Sequence, residues 1–303
     1  MAADGGRVVA VARAALVRRA RGAALVLVLW LIALLTAVVG AFALSARIEH
    51  MQQRVINDDA IGQEHARAGL EYALYRLQPS ATRPPWVADG RRYRWEFDQR
   101  RIDLRVVDEN GKINLNLADA TLLRAFLAAM DVAPERAGPL AGAIIDWRDA
   151  DSLKQPGGGA ELPDYVAAGL PYGPRNNRFE TLGELQRVLG MDAALYEQLE
   201  PMLTLYSRQS RPDPRFAAGP VLTALGLDAP RLLAERERAQ AGEDAKVGGA
   251  ALASGSGTYS IESRATDERG KVSVLRGVVR TGTAGTPGTT YTVLRWEQGM
   301  AAR

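Results

Sequence analysis

The hydrophobic pattern of the chain changes character three times. From Ala23 to Leu44 it runs for 22 residues without a charge. As a helix rising about 1.5 Å per residue, this run is roughly 33 Å long, enough to cross a hydrocarbon core of about 30 Å. Beyond it, Ile48, Met51, Val55, Ile56, Ala60, Ile61, Ala66, Leu70, Ala73, Leu74 and Leu77 recur at spacings of three to five, and the first proline is Pro79. The pattern predicts one helix over about residues 23–78, its first half membrane-embedded and its second half amphipathic.

Strict alternation then replaces the helical period. Tyr93–Phe97 and Ile102–Val107 alternate apolar and polar residues as half-buried strands do, with Asp98-Gln-Arg-Arg as the turn between them. Pro84-Pro85 and Asp89-Gly90 separate this hairpin from the helix. Three more strand-like runs, Tyr259–Ala265, Val272–Val279 and Tyr291–Trp296, lie about 150 residues downstream. They are joined by Asp267-Glu-Arg-Gly and by a Gly/Thr-rich run over 282–289.

The intervening stretch reads as helical. Asp119 stands near the start of a helix with Leu122, Leu123, Phe126 and Leu127 on one face, and Pro139–Trp147 forms another. Thr181-Leu-Gly-Glu is a capping box ahead of Leu185 and Val188, Gly190 closes that helix, and Ala193–Leu199 begins the next. Within residues 220–252, Pro220–Gly226 and Ala229–Ala239 suggest one or two further helices, and Gly242–Gly257 reads as a loop. The expected organisation is a leader (1–22), a membrane helix (23–44) and its continuation (45–78). A sheet domain (79–112 with 253–303) follows, with an inserted helical domain (113–252). The fold class is α+β.

Composition narrows the chemistry. The 303 residues carry 38 Lys and Arg against 35 Asp and Glu, and five arginines in residues 1–22 against Asp4 account for the excess. The basicity lies in the leader, so it argues for an N-terminus held in the cytoplasm rather than for nucleic-acid binding. Residues 113–207 hold seven Lys or Arg and 13 Asp or Glu, the wrong sign for phosphate contacts. The absence of cysteine excludes thiolate sites and disulfides, and with His50 and His65 as the two histidines most hydrolase templates are disfavoured. No catalytic set emerges, and the expectation is a chain that is not an enzyme.

The densest acidic cluster is Asp146-Trp-Arg-Asp149-Ala-Asp151, followed by Pro156-Gly-Gly-Gly-Ala-Glu161. Asp146 and Asp149 share a helix face, and the glycines let the chain turn back to deliver Glu161. Such carboxylates repel one another unless a cation or arginines neutralise them, and a hard, oxygen-liganded cation suits them better than zinc. A solvated loop with helix caps and an Asp–Arg148 pair is the plainer reading. A glycosidase-like pair has no other support in the chain.

Arg21-Gly22-Ala23, a basic leader ending in glycine before an apolar helix, resembles the type IV pilin and pseudopilin signal. The resemblance implies cleavage by a prepilin peptidase between Gly22 and Ala23, then methylation. An ordinary secretory signal ending at Ala41-Phe42-Ala43 competes, but the apolar run exceeds the usual 7–15 residues. Most pilins carry Glu at the fifth mature position, where Leu27 stands here.

Taken together, Asp108–Asn116, Ala143–Asp151, Pro156–Glu161, Gly169-Leu-Pro-Tyr and Phe179–Leu185 resemble the K-type minor pseudopilin of type II secretion systems. That resemblance implies a pilin-like helix packed on an antiparallel sheet, with a large helical (helix-hairpin, SAM-like) domain inserted in the sheet. It also implies structural Ca2+ in the globular part, a bacterial inner-membrane anchor with the rest in the periplasm, and a place at the pseudopilus tip. Partners would be the I- and J-type minor pseudopilins, the major pseudopilin and the inner-membrane secretion platform. Leu27 is typical of this member. The motif's position assigns the calcium to Asp146, Asp149, Asp151 and Glu161. A minor pilin of a type IV pilus and a single-span periplasmic binding module are the alternatives.

Overall fold

The computed structural model describes residues 5–78, 80, 82–241, 255–282 and 291–300. Residues 242–254, most of the expected Gly242–Gly257 loop, and 283–290, most of the Gly/Thr-rich run, lie outside the described residues. The chain divides into two units, Met1–Ile61 and Gly62–Arg303.

In the first unit, helix α1 (Gly5–Leu77) begins, and Leu25 to Leu44 present large apolar side chains outward. Thr36 donates its hydroxyl back to the Ile32 carbonyl at 2.8 Å, which meets that donor within the apolar run. Among the described residues, this is one helix long and apolar enough to cross a membrane.

The second unit holds two cores. The first lies between the last turns of α1 and a five-stranded sheet. Its strands are β1 (Asp89–Phe97), β2 (Arg100–Asp108), β5 (Thr258–Thr266), β6 (Val272–Thr281) and β7 (Tyr291–Met300). They are antiparallel throughout, in the order β1-β2-β5-β6-β7. Ala66, Leu70, Ala73, Leu74 and Leu77 of α1 are buried with Ile102, Leu104 and Val106 of β2, Ile261 of β5 and Leu275 of β6. The alternation in β2 leaves Arg101, Asp103 and Arg105 on the opposite face. Gly69 permits the helix to lie close, because a Cβ there would stand 2.7 Å from Ile102 Cγ2.

An aromatic ladder closes the β1 edge of this core. Trp86 stacks on Tyr93 with ring centroids 3.9 Å apart, and Tyr72 stacks on Trp95 at 4.2 Å. The Tyr93 hydroxyl accepts from Val87 N–H at 2.8 Å and donates to Val87 C=O at 2.9 Å. Burial pushes this phenol up to about 12. The β1–β2 turn contracts to Asp98 and Gln99, both at positive φ, so the four-residue turn expected from sequence is two residues too long. Strand β1 begins at Asp89 rather than Tyr93, with a register shift between Asp89 and Arg92.

The insertion leaves from the end of β2 and returns at β5, two strands that are neighbours in the sheet. It contains β3 (Ile113–Asn114), α2 (Ala120–Ala129), α3 (Pro134–Arg148), α4 (Leu162–Ala167), α5 (Ala193–Leu199), β4 (Leu203–Thr204), α6 (Gly219–Ala224) and α7 (Ala229–Ala241). Asp119 caps α2 by accepting from Leu122 N–H at 2.7 Å. Leu122, Leu123, Phe126 and Leu127 face the second core together with Leu140, Ile144, Trp147, Tyr165 and Leu185. Two expectations are corrected here. The capped segment after Thr181 is a 3-10 helix, Leu182–Arg187, although Glu184 does accept from Thr181 N–H at 2.8 Å. The insertion also is not wholly helical, because β3 and β4 pair in parallel, Ile113 beside Leu203.

The Asp108–Asn116 motif forms the joint between the two cores. Asp108 accepts from Asn110 N–H at 2.8 Å and from Ser256 N–H at 2.7 Å. Glu109, 1% exposed, pairs with Lys112 at 2.7 Å and accepts from Ser260 of β5 at 2.5 Å and from Thr204 of β4. Gly111 lies against the Phe216 backbone, where a Cβ would stand 2.5 Å from its carbonyl oxygen. Asn114 donates to Ser207 C=O at 2.7 Å, and Asn116 exchanges two hydrogen bonds with the Phe179 backbone. One buried carboxylate thus ties sheet and insertion together.

Candidate functional site

Helix α3 delivers Asp146 from its last turn, and Asp149 follows as its C-terminal cap. The chain then loops through Pro156-Gly-Gly-Gly and returns with Glu161, the residue before α4. Gly157 and Gly158 adopt φ of +86° and +131°, values that a side chain disfavours. A Cβ on Gly158 would also stand 2.8 Å from Pro139 Cα, so the loop lies directly on α3. The sequence expectation that glycines return the chain to the helix end therefore has a concrete form.

Oxygen atoms of Asp146, Asp149 and Glu161 all lie within 4.8 Å of one another. Asp146 is fully buried; its Oδ1 accepts from Gln155 N–H at 3.1 Å and its Oδ2 from Ala160 N–H at 2.8 Å. Asp149 Oδ2 accepts from the Gln155 side chain at 3.3 Å. Asp149 Oδ1 and Glu161 Oε1 are buried without a hydrogen-bond partner among the described residues. Leaving such an acceptor unmet costs about 1–3 kcal/mol, more for a charged group.

Burial pushes the Asp146 carboxyl up to about 6, against the pull of its two N–H donors and with added repulsion from Asp149 and Asp151. Asp149 is raised by burial and then by Asp151. Glu161 is raised by burial and then by Asp146, Asp149 and Asp151. All three carboxyls resist ionisation where they stand. A divalent cation would reverse that balance and meet the two orphaned oxygens, so the donor set fits a hard cation.

The fourth expected ligand does not join them. Asp151 is exposed, lies outside the group, and spends Oδ1 on the N–H of Leu153 at 2.8 Å. It lies three residues past the end of α3, where the chain has already turned outward. Arg148 does not neutralise the cluster by hydrogen bonding either, because its guanidinium donates to the carbonyls of Leu115 and Ala118 (2.5 Å). Asp164 accepts from Lys154 at 2.5 Å and from Glu161 N–H at 2.9 Å, and Lys154 holds it below the usual carboxylate range. Gly22 and Ala23 lie on α1, and Leu27 is exposed in the apolar run.

Residues 100–208 match the family model described as Type II secretion system (T2SS), protein K. Proteins named Type II secretion system protein K are similar to this chain. The one from Pectobacterium carotovorum subsp. carotovorum is 27% identical over 206 residues, 60% of this chain and 62% of the relative. The one from Klebsiella pneumoniae is 28% identical over 205 residues, with the same coverage. The match thus spans less than two thirds of these relatives' length. That from Dickeya chrysanthemi is 37% identical over 82 residues, 27% of this chain and 22% of the relative. Among solved structures, a chain of the GspK-GspI-GspJ complex from the enterotoxigenic Escherichia coli type 2 secretion system shares the fold with a TM-score of 0.52 and 19% identity. The alignment covers 84% of this chain and 99% of that one. Over residues 100–208 in sequence, and in fold over most of its length, the chain is similar to type II secretion system protein K.

Proposed function

We propose that the chain is a non-catalytic minor pseudopilin of a type II secretion system. It enters the bacterial inner membrane through Ala23–Leu44 with its C-terminal part in the periplasm. Prepilin peptidase cleaves it between Gly22 and Ala23, and the new N-terminus is methylated. It then caps the tip of the pseudopilus with the I- and J-type minor pseudopilins above the major pseudopilin. The inner-membrane platform drives this assembly, which supports export of folded proteins across the outer membrane.

The observation that carries the reading is the position of the insertion. A segment matched to protein K over residues 100–208 carries much of an insertion that interrupts an antiparallel sheet between two adjacent strands, on a chain with a long N-terminal helix that is apolar in part. Such bulk is tolerated at an end of a filament and crowds its interior. Leu27 supports the same placement. In a stack of apolar helices a buried amine needs a negative partner to offset its desolvation, and Leu27 supplies none to a subunit above it. The topmost subunit has no such subunit to serve.

Asp146, Asp149 and Glu161 would hold a calcium ion, the remaining oxygens coming from backbone and water. The ion supplies positive charge that lets three crowded carboxylates stay ionised and fixes the glycine loop against α3. Its role is structural.

Co-purification from the intact secretion system tests the capping reading. The chain should appear in equal amounts with two other minor pseudopilins and at a small fraction of the major subunit. Copies repeated along the shaft, at a level near the major subunit's, would overturn it.

A further inference from the structure

On the face of the sheet turned away from α1, the strands and the insertion enclose a cleft of about 1040 Å³. Its walls include Arg92, Arg94, Arg101 and Arg105 from the sheet, and Glu197 and Tyr206 from the insertion. The lining as a whole carries eight cationic and six acidic side chains.

The pairing within this lining is uneven. Asp103 is shared by Arg94 at 3.4 Å and Arg101 at 3.1 Å. Glu262 is shared by Arg264 at 2.5 Å and Arg276 at 2.9 Å. Arg92 and Arg105, however, stand directly opposite one another across β1 and β2, and neither has a carboxylate. Arg105 donates only its Nε, to Gly90 C=O at 3.1 Å, and Glu262, its neighbour on β5, is drawn to the other two arginines. The Arg92 guanidinium makes no ion pair or hydrogen bond among the described residues, its backbone alone being paired in the ladder. Like charges facing each other across two strands destabilise a sheet, so the pair is a cost to the fold that a bound anion would remove.

We propose that the Arg92–Arg105 pair is the anchor of a docking cleft for an acidic segment of a partner polypeptide, two of whose carboxylates bind the two guanidinium forks. Guanidinium recognises carboxylate bidentately, and clustered arginines read acidic motifs in this way. At about 1040 Å³ the cleft is roomy enough for a chain segment to lie along the two arginines. The cleft belongs to the sheet's open face and involves none of the residues placed at the carboxylate cluster or on the membrane helix.

The test measures fluorescence anisotropy of labelled hexaglutamate with the detergent-solubilised full chain. Binding is expected at low salt, weakening as salt rises, and at least tenfold weaker for Arg92→Gln with Arg105→Gln. Arg92→Lys, which keeps charge but loses the fork, should weaken it severalfold. Arg124→Gln with Arg231→Gln removes the same charge elsewhere and should bind as the parent does. The double cleft variant should melt at or above the parent temperature, because it relieves repulsion. Equal binding of hexaglutamine, or hexaglutamate binding unchanged in the cleft variant, would overturn the proposal. So would displacement of the peptide by inorganic phosphate at the same concentration as unlabelled hexaglutamate, which would mark a small-oxyanion site.

Discussion

Gly142 and Gly158 meet backbone to backbone: a Cβ on Gly142, in the middle of α3, would overlap the Gly158 carbonyl. This contact sets the height at which the glycine loop crosses the helix, and hence the position from which Glu161 reaches Asp146. Gly142→Ala would raise helix propensity slightly. The overlap with backbone outweighs that gain, and the expected loss is about 1–3 kcal/mol in chemical denaturation. Cation binding should weaken in the same variant.

Acid and chelator should act on the cluster in a linked way. Asp146 is raised from its ordinary 3.8 to about 6. The folded, cation-free protein therefore holds more protons than the unfolded chain between those values. Its contribution to stability is full at low pH and is lost as pH rises toward 6. Without calcium, melting temperature should fall across this window, and Asp146→Asn should flatten the fall. Calcium at neutral pH should raise the melting temperature by mass action. Asp149→Ala with Glu161→Ala should abolish that response, whereas Asp151→Ala should leave most of it. An unchanged melting curve with chelator would leave the cluster a solvated loop.

The joint at Glu109 is expected to be the most sensitive point between the two cores. Glu109→Ala strands the buried Lys112 ammonium, and removing one partner of a buried pair costs about 3–5 kcal/mol. Glu109→Gln keeps an acceptor for Ser260 and Thr204 and should lose less. Urea titration of both variants separates the charge from the hydrogen bonds.

The Trp86–Tyr93 stack offers a spectroscopic check on the β1 edge. Trp86→Ala should cost about 3–5 kcal/mol and remove much of the near-UV circular dichroism. Tyr93→Phe retains the stack but deletes the hydroxyl that bonds Val87 twice, so about 1–2 kcal/mol is expected with the spectrum largely kept.

Processing at Gly22 can be read directly by mass spectrometry. The mature N-terminus should begin at a methylated Ala23, and Gly22→Leu should leave an uncleaved, membrane-inserted chain that fails to support secretion. A terminus at Leu44 would identify an ordinary secretory signal instead.

What was legible in the sequence is what repeats locally. The amphipathic half of α1, the alternation in β2 and β5, and the Asp119 and Thr181 caps each leave a pattern within one element. The pairing of β3 with β4 left none, because two residues per strand are too few for a period of two to register. Asp89-Gly90 reads as a turn, yet Gly90 opens β1 at a positive φ beside a register shift. Asp151 has the right chemistry at the right spacing, but the chain turns outward after α3, which depends on contacts further along. The Glu109 joint and the Arg92–Arg105 pair each assemble from segments whose approach is set by tertiary packing. Only the folded chain brings them together.

The parallel pairing of Ile113 with Leu203 also bears on the order in which the chain can fold. Strands β2 and β5 are neighbours, yet Asp108 and Tyr259 meet only after about 150 intervening residues are accommodated. Closing so long a loop is entropically slow to reward. Once the insertion has folded on its own core, β3 and β4 hold Ile113 beside Leu203, and the span still to be closed shrinks to roughly 60 residues. Helices α2 to α5 should therefore gain hydrogen-exchange protection before β5 joins β2 on refolding, and the sheet should be the last part of this unit to become protected.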